Sequence, residues 1–168
     1  MAAITGRLRL GVWISGLIVV LDQAAKAFVR SRFDLHESLE VIPGFFSLTR
    51  VHNYGAAFGL MNTADFPFKT VLLSLVAMAA LLTLVVYAGT LPPEQRIARA
   101  GLGLIAGGAA GNLIDRISAG YVVDFVDLYW QGWHFWAFNV ADAAITIGVV
   151  FMLLDLLDVR IRRVPGTV

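Results

Sequence analysis

Four runs of about twenty mostly apolar residues, near 9–29, 67–88, 97–117 and 137–157, decide what this chain can become. A helix rises about 1.5 Å per residue, so each run can cross roughly 30 Å of hydrocarbon. Lipid offers the backbone no hydrogen bonds, and a run placed there must satisfy its own N–H and C=O groups as a helix. A hydrophobic content of 58% and a mean hydropathy of +0.76 put the whole chain outside the soluble range. The expected fold is therefore an all-α integral membrane bundle of four transmembrane helices, one membrane domain over 1–168. The first run imitates a cleaved signal peptide, with Arg7 and Arg9 ahead of it and Ala25-Lys26-Ala27 like a processing site. The charged Asp22 and Lys26 inside that region, and the length of the run, favour a retained span.

Orientation follows from the basic residues at the flanks. Arg7, Arg9, Arg96, Arg99, Arg160, Arg162 and Arg163 fall on one side, against Arg30, Arg32 and Arg50 on the other. Both termini are expected in the cytoplasm. Between the spans, "SLEVIPGFFSLTRV" alternates β-branched and aromatic residues about a Pro43-Gly44 turn. It predicts a small extracytoplasmic β element over about 33–63. The Tyr- and Trp-rich stretch 118–136 reads as an extracytoplasmic loop at the membrane interface.

Several function classes drop out. A net charge of +1, with no basic block interleaved with aromatics, gives nucleic acid no footing, and leaves membrane lipid as the obvious partner. The absence of cysteine excludes disulfides, a thiolate nucleophile and thiolate-bound metal. His36, His52 and His134 are scattered, and neither H-E-x-x-H nor G-x-S-x-G occurs, so no metal, no cofactor and no serine nucleophile is expected.

Ionisable residues inside spans are costly and mark sites by default. Asp22 and Lys26 share a helix face at i, i+4 and read equally as a structural ion pair or part of a site. Asn53 and Gly55, in "HNYGAAFGL", combine a turn with a close backbone approach. Gly103, Gly107 and Gly111 form a small-residue ridge for helix packing, and Asn112, Asp115 and Arg116 follow it on one face. Asp115 with Arg116 reads as a structural pair, and Asn112 and Arg116 as functional. Asp127 reads as a cap or a solvated loop charge. Asp124 lies among Val122, Val123 and Phe125, a setting that raises a carboxyl pKa. Asn139 and Asp142 share a face at the start of the last run, and Asp142 as a helix N-cap is the weaker reading because the apolar run begins before it. With the termini inside, all these residues converge on one layer at the outer membrane face.

Two carboxyls close together in a low-dielectric cleft tend to share one proton, and such a pair can activate water against an amide carbonyl. Asp124 and Asp142 make the best pair. A transporter subunit with an ion site, or a structural bundle in which these acids serve folding alone, are the rival readings. The first calls for broken or repeated helices with midplane charges, which the sequence lacks.

Taken in order, "DQAAK" (22–26), "NYGAAF" (53–58), "GGAAGNLIDR" (107–116), "VVDFVD" (122–127) and "FNVADAAI" (138–145) resemble the lipoprotein signal peptidases, the type II signal peptidases of bacteria. The likeness spans nearly the whole chain; Ala25 stands where a hydroxyl residue is expected. It implies an aspartic endopeptidase of the bacterial cytoplasmic membrane, acting on prolipoproteins and cutting before a cysteine that bears diacylglycerol; a monomer is expected. It also implies four transmembrane helices, a periplasmic β-cradle and a small extracytoplasmic helix. By position, the resemblance makes Asp124 and Asp142 the catalytic dyad. Asp22, Asn53, Asn112, Arg116, Asn139 and Ala141 become the surrounding polar and positioning residues, beside Lys26 and Gly55. Arg116 or Asn112 is a candidate holder of substrate carbonyls.

Overall fold

A computed structural model describes residues 2–55, 67–92 and 94–163, with side chains from 9 to 157. In chain order these form α1 (Ala2–Arg32), β1 (Ser38–Ile42), β2 (Phe46–Asn53), α2 (Lys69–Thr90), α3 (Arg96–Ala119), β3 (Val122–Trp130), β4 (Trp133–His134) and α4 (Val140–Arg163). Each of the four helices is long and apolar enough to cross a membrane. They leave large apolar side chains exposed along their length, such as Leu17, Val20, Val71, Leu75, Val85 and Leu153. In water this would be a defect; in a bilayer the lipid tails cover it.

Helix α3 is the axle, packed on α1, α2 and α4. Glycine makes this possible on two of its sides. On the α1 side, a Cβ at Gly103 or Gly107 would stand 2.8 Å from the Gly11 or Ser15 carbonyl oxygen. Ser15 then ties the seam, its hydroxyl donating to the carbonyls of Gly11 (2.9 Å) and Gly103 (2.8 Å). On the α4 side, a Cβ at Gly101 would meet the Gly148 carbonyl at 2.8 Å, and one at Gly108 would overlap the Ala141 carbonyl. The predicted ridge thus has a second edge, at Gly101, Gly108 and Gly148. Without an apolar driving force in lipid, such backbone contact is a main source of helix association. At the other end, buried Arg99 donates to the carbonyls of Leu91 (2.6 Å) and Pro92 (3.1 Å), just past the end of α2.

The sheet is antiparallel with strand order β1-β2-β3-β4. Half of it comes from 118–136, which the sequence reading took for an interfacial loop. The aromatic residues that suggested an interface, Tyr129 and Trp130, pair with His134 and Trp133 across a turn through Gln131 and Gly132, both with positive φ. Part of the expected 33–63 element, residues 56–63, lies outside the described residues, as do Ala56, Ala57 and Phe58 of the NYGAAF string. No helix occurs among the described residues from 33 to 55, where the resemblance left room for a small one. Strand β3 is buried at four consecutive positions, Val122 to Phe125. Val123 and Phe125 join Val29 and Phe33 in the core that fastens the sheet to α1.

Candidate active site

The site lies where the sheet meets the C-terminal ends of α1 and α3 and the start of α4. In α1, Asp22 and Lys26 form the i, i+4 ion pair at 2.8 Å, and both are fully buried. Lys26 also meets Asp115 Oδ2 at 3.0 Å and donates to Asn112 Oδ1 at 2.9 Å. Asp115, equally buried, takes a further ion pair from Arg30 at 2.7 Å. The expected Asp115–Arg116 pair is not formed. Adjacent residues point about 100° apart on a helix, so Asp115 faces α1 while Arg116 donates to the carbonyl of Gly55 at 2.9 Å and to that of Asn112.

Asp22 reaches farther than its ion pair. Its Oδ1 accepts the Ala141 N–H at 3.0 Å, one of the orphan donors in the first turn of α4. Gly111 makes the passage, since a Cβ there would stand 2.5 Å from Asp22 Oδ2. A residue of α1 thereby caps α4 across α3. Ala141 is fully buried at this junction.

Helix α4 begins at Val140, three residues later than the apolar run suggested, and this changes the standing of Asp142. Asn139 is the N-cap: its Oδ1 accepts the Asp142 N–H at 3.0 Å, while Asp142 Oδ2 accepts the Asn139 N–H at 3.2 Å. This reciprocal pair is a capping box. Asp142 is therefore not the N-cap: Asn139 holds that position, and Asp142 is the acid three residues on that closes the box.

Strand β3 delivers the other carboxyl. After β4 the chain returns along β3, Phe138 exchanging backbone hydrogen bonds with Val126 (2.8 and 3.1 Å), so Asn139 arrives beside Asp124. Asn139 Nδ2 donates to Asp124 Oδ1 at 2.7 Å. Asn53 pairs with Val122 across the β2–β3 ladder, which leaves Asp124 its diagonal neighbour on the same face. Asn53 Nδ2 donates to Asp124 Oδ2 at 2.9 Å. The amide orientations are imposed by backbone donors: the Gly55 N–H takes Asn53 Oδ1 at 2.9 Å and the Asp142 N–H takes Asn139 Oδ1. Each amide must therefore turn its NH₂ toward a carboxyl.

Asp124 is 2% exposed, and burial, then the charge of Asp142, push its pKa up from 3.8 to about 7, against the opposing pull of Asn53 and Asn139. Asp142 is less enclosed, and its Oδ1 accepts from Asn112 Nδ2 at 2.8 Å. Lys26, Asn112, Asn139, Asn53, Asp124 and Asp142 thus belong to one hydrogen-bonded layer. Asn112 gives its oxygen to Lys26 and Asn139 and one N–H to Asp142, so its buried amide meets a substrate carbonyl with at most one N–H. Arg116 keeps N–H donors beyond those its two bonds use. Asp127 is neither a cap nor a solvated loop charge. It lies in β3, paired with the His134 imidazole at 3.0 Å. The sequence reading passed over Gln23, whose Nε2 donates to the Gly111 carbonyl at 3.1 Å, and it gave Asp115 no place in the site. The three-residue step from Asn112 to Asp115 was the available signal, but it does not reveal which helix the second residue faces.

Four helices able to cross a membrane, a small sheet at one end and a buried layer of acids and amides between them define a multi-pass membrane enzyme. A bacterial membrane enzyme solved at 2.3 Å superposes with a TM-score of 0.82 at 30% identity, over 94% of this chain and 93% of that one. A second, solved at 1.9 Å, gives 0.76 at 28% identity, over 88% and 92%. The profile of the family described as signal peptidase (SPase) II matches residues 14–158, and the chain belongs to that family. The lipoprotein signal peptidase of Geobacter sulfurreducens is 44% identical over 147 residues, covering 88% of this chain and 91% of that protein. That of Pseudomonas aeruginosa is 40% identical over 146 residues, covering 86% of each.

Proposed function

We propose that this chain removes the signal peptide from diacylglyceryl-modified prolipoproteins, cutting on the N-terminal side of the lipidated cysteine with Asp124 and Asp142 as its catalytic pair. The observation that carries the reading is the bridging of these two carboxyls by Asn139, which holds Asp124 with its amide and Asp142 with its backbone. The charge of Asp142 acts on Asp124, so the pair retains one proton up to about pH 7. The ionised carboxyl takes a proton from water as its oxygen attacks the scissile carbonyl carbon. The protonated one gives its proton to the carbonyl oxygen. Collapse of the tetrahedral intermediate breaks the C–N bond: the departing cysteine amine takes a proton from the carboxyl that received one from water, and the former carbonyl oxygen returns its proton to the carboxyl that supplied it, restoring the pair. Asp22, Asn53, Asn112, Asn139 and Ala141 hold the pair in register, and the Arg116 guanidinium faces the developing oxyanion.

In this reading the chain is a monomer of the bacterial inner membrane with both termini cytoplasmic. The sheet and the acidic layer then lie at the outer face, where a substrate held by its lipid and its apolar signal segment presents the scissile bond. No metal or cofactor is required. Asp124→Asn and Asp142→Asn test it: each variant inserts and melts as a folded protein but leaves a diacylglyceryl prolipoprotein uncut on a gel. A folded variant of either kind that processed precursor at the wild-type rate would end the assignment.

A further inference from the structure

Asp115 has no place in the chemistry just described, yet it is fully buried and satisfied on every side. Its Oδ2 meets Lys26 Nζ at 3.0 Å and accepts the Val123 N–H at 3.2 Å; its Oδ1 receives Arg30. Val123 immediately precedes Asp124 in β3. Lys26 in turn has three N–H donors, and Asp22 Oδ2, Asp115 Oδ2 and Asn112 Oδ1 take one each. An ammonium cannot accept a hydrogen bond, so Asn112 must present its oxygen to Lys26 and its NH₂ to Asp142. Of the three asparagines that face the acids, Asn112 alone is oriented by a side chain.

We infer that Asp115 and Lys26 act together as positioning residues for peptide hydrolysis: Asp115 holds the strand of Asp124 through the Val123 N–H and holds Lys26, which fixes Asn112 with its donor toward Asp142. One buried carboxylate thereby references both members of the pair to each other. The inference rests on the reading of Asp124 and Asp142 as the hydrolytic pair. It adds that the donor facing Asp142 is oriented from α1, by Lys26. Around Asp142 the charged and polar groups are Asp22 and Lys26 from α1, Asn112 and Arg116 from α3, Asp124 from β3 and Asn139 at the head of α4, and Asp115 bears on it through Lys26.

The two residues carry opposite charge, and this separates positioning from mere structural support. In Lys26→Met the cation is gone and Asn112 can turn its oxygen toward Asp142. At neutral pH, kcat then falls about ten- to hundredfold with KM little changed, and the acid limb of the pH profile moves up by about one pH unit. In the isosteric Asp115→Asn the cluster keeps Lys26 and Arg30 against Asp22 alone, and the acid limb moves down. Both are measured on a purified diacylglyceryl prolipoprotein in detergent micelles, per folded molecule as judged by thermal melting. Opposite displacements of the limb support the inference; displacements of one sign, or none, in folded variants overturn it. If Lys26→Met does not fold, Asp115→Asn decides alone by whether its limb moves down. The wild type with Asp124→Asn and Asp142→Asn runs alongside. A wild type that does not cut, or an Asn variant that does, refutes the hydrolytic reading. A cutting wild type, dead Asn variants and unmoved limbs refute only the positioning role.

Discussion

Two sets of buried acids stand side by side in this molecule and are stabilised by different means. Asp22 and Asp115 have cations, Lys26 between them and Arg30 beyond, so opposite charges balance in a dry cluster. Asp124 and Asp142 have amides instead, from Asn53, Asn112 and Asn139, and among the described residues neither has an ion pair. A cation would hold a carboxylate ionised and inert; an amide satisfies its oxygens and leaves the proton free to move. On the proposed reading the first cluster serves as a foundation and the second as a reagent, and the two share Asn112.

The comparison breaks most completely if the reagent acids are neutralised. Asp124→Asn or Asp142→Asn is expected to lower cleavage at least about a thousandfold, measured by processing on a gel, while the fold survives. Asp124 also leaves a signature in stability. Unfolded, it releases its proton near the ordinary carboxyl value of 3.8; folded, it keeps it to about 7. Folding therefore takes up a proton in that window, and wild-type melting temperature should fall as pH rises from about 4 through 7. Asp124→Asn should flatten that slope.

In the foundation, Asp22→Ala leaves Lys26 short of a partner and uncaps the Ala141 N–H. Removing one member of a buried ion pair costs about 3–5 kcal/mol, read as a fall in melting temperature. Gly111→Ala strikes the boundary between the two sets, because its Cβ displaces the Asp22 carboxylate. An overpacking cost of about 1–3 kcal/mol is expected, with a loss of cleavage per folded molecule. Asn53→Ala, on the reagent side, removes one donor from Asp124 and pushes its pKa higher, so the basic limb of cleavage should move to higher pH. The smallest effect belongs to Gly16→Ala, where a Cβ meets nothing within 4 Å; melting should stay within about 1 kcal/mol of wild type and cleavage unchanged.

The four helices were legible because lipid imposes a length and an apolar character that few other contexts require. The sheet was half legible. "SLEVIPGFFSLTRV" announces a hairpin, but Val122–Trp130 pairs with β2 across 69 to 82 residues, and no local pattern in "VVDFVDLYW" says so. The i, i+4 spacing put Asp22 and Lys26 on one face. It could not show that Asp115 completes their cluster, since that depends on how α1 and α3 rotate against each other about glycine contacts. The start of α4 falls later than the apolar run for a related reason: Ala137 and Phe138 are apolar enough to extend the run, but the backbone of Phe138 is committed to β3.

The capping box of α4 also has a consequence for the order in which the molecule is made. Asp22, Asn53, Asn112 and Asp124 leave the ribosome before Asn139 and Asp142. A chain halted at β3 holds one member of the pair and neither half of the box. Asn139 and Asp142 complete each other as the helix nucleates, so the first turn of the last helix and the second carboxyl take shape in one event. On the proposed reading, a nascent chain until then has nothing with which to cut the precursors sharing its membrane, and the final helix works as the arming step.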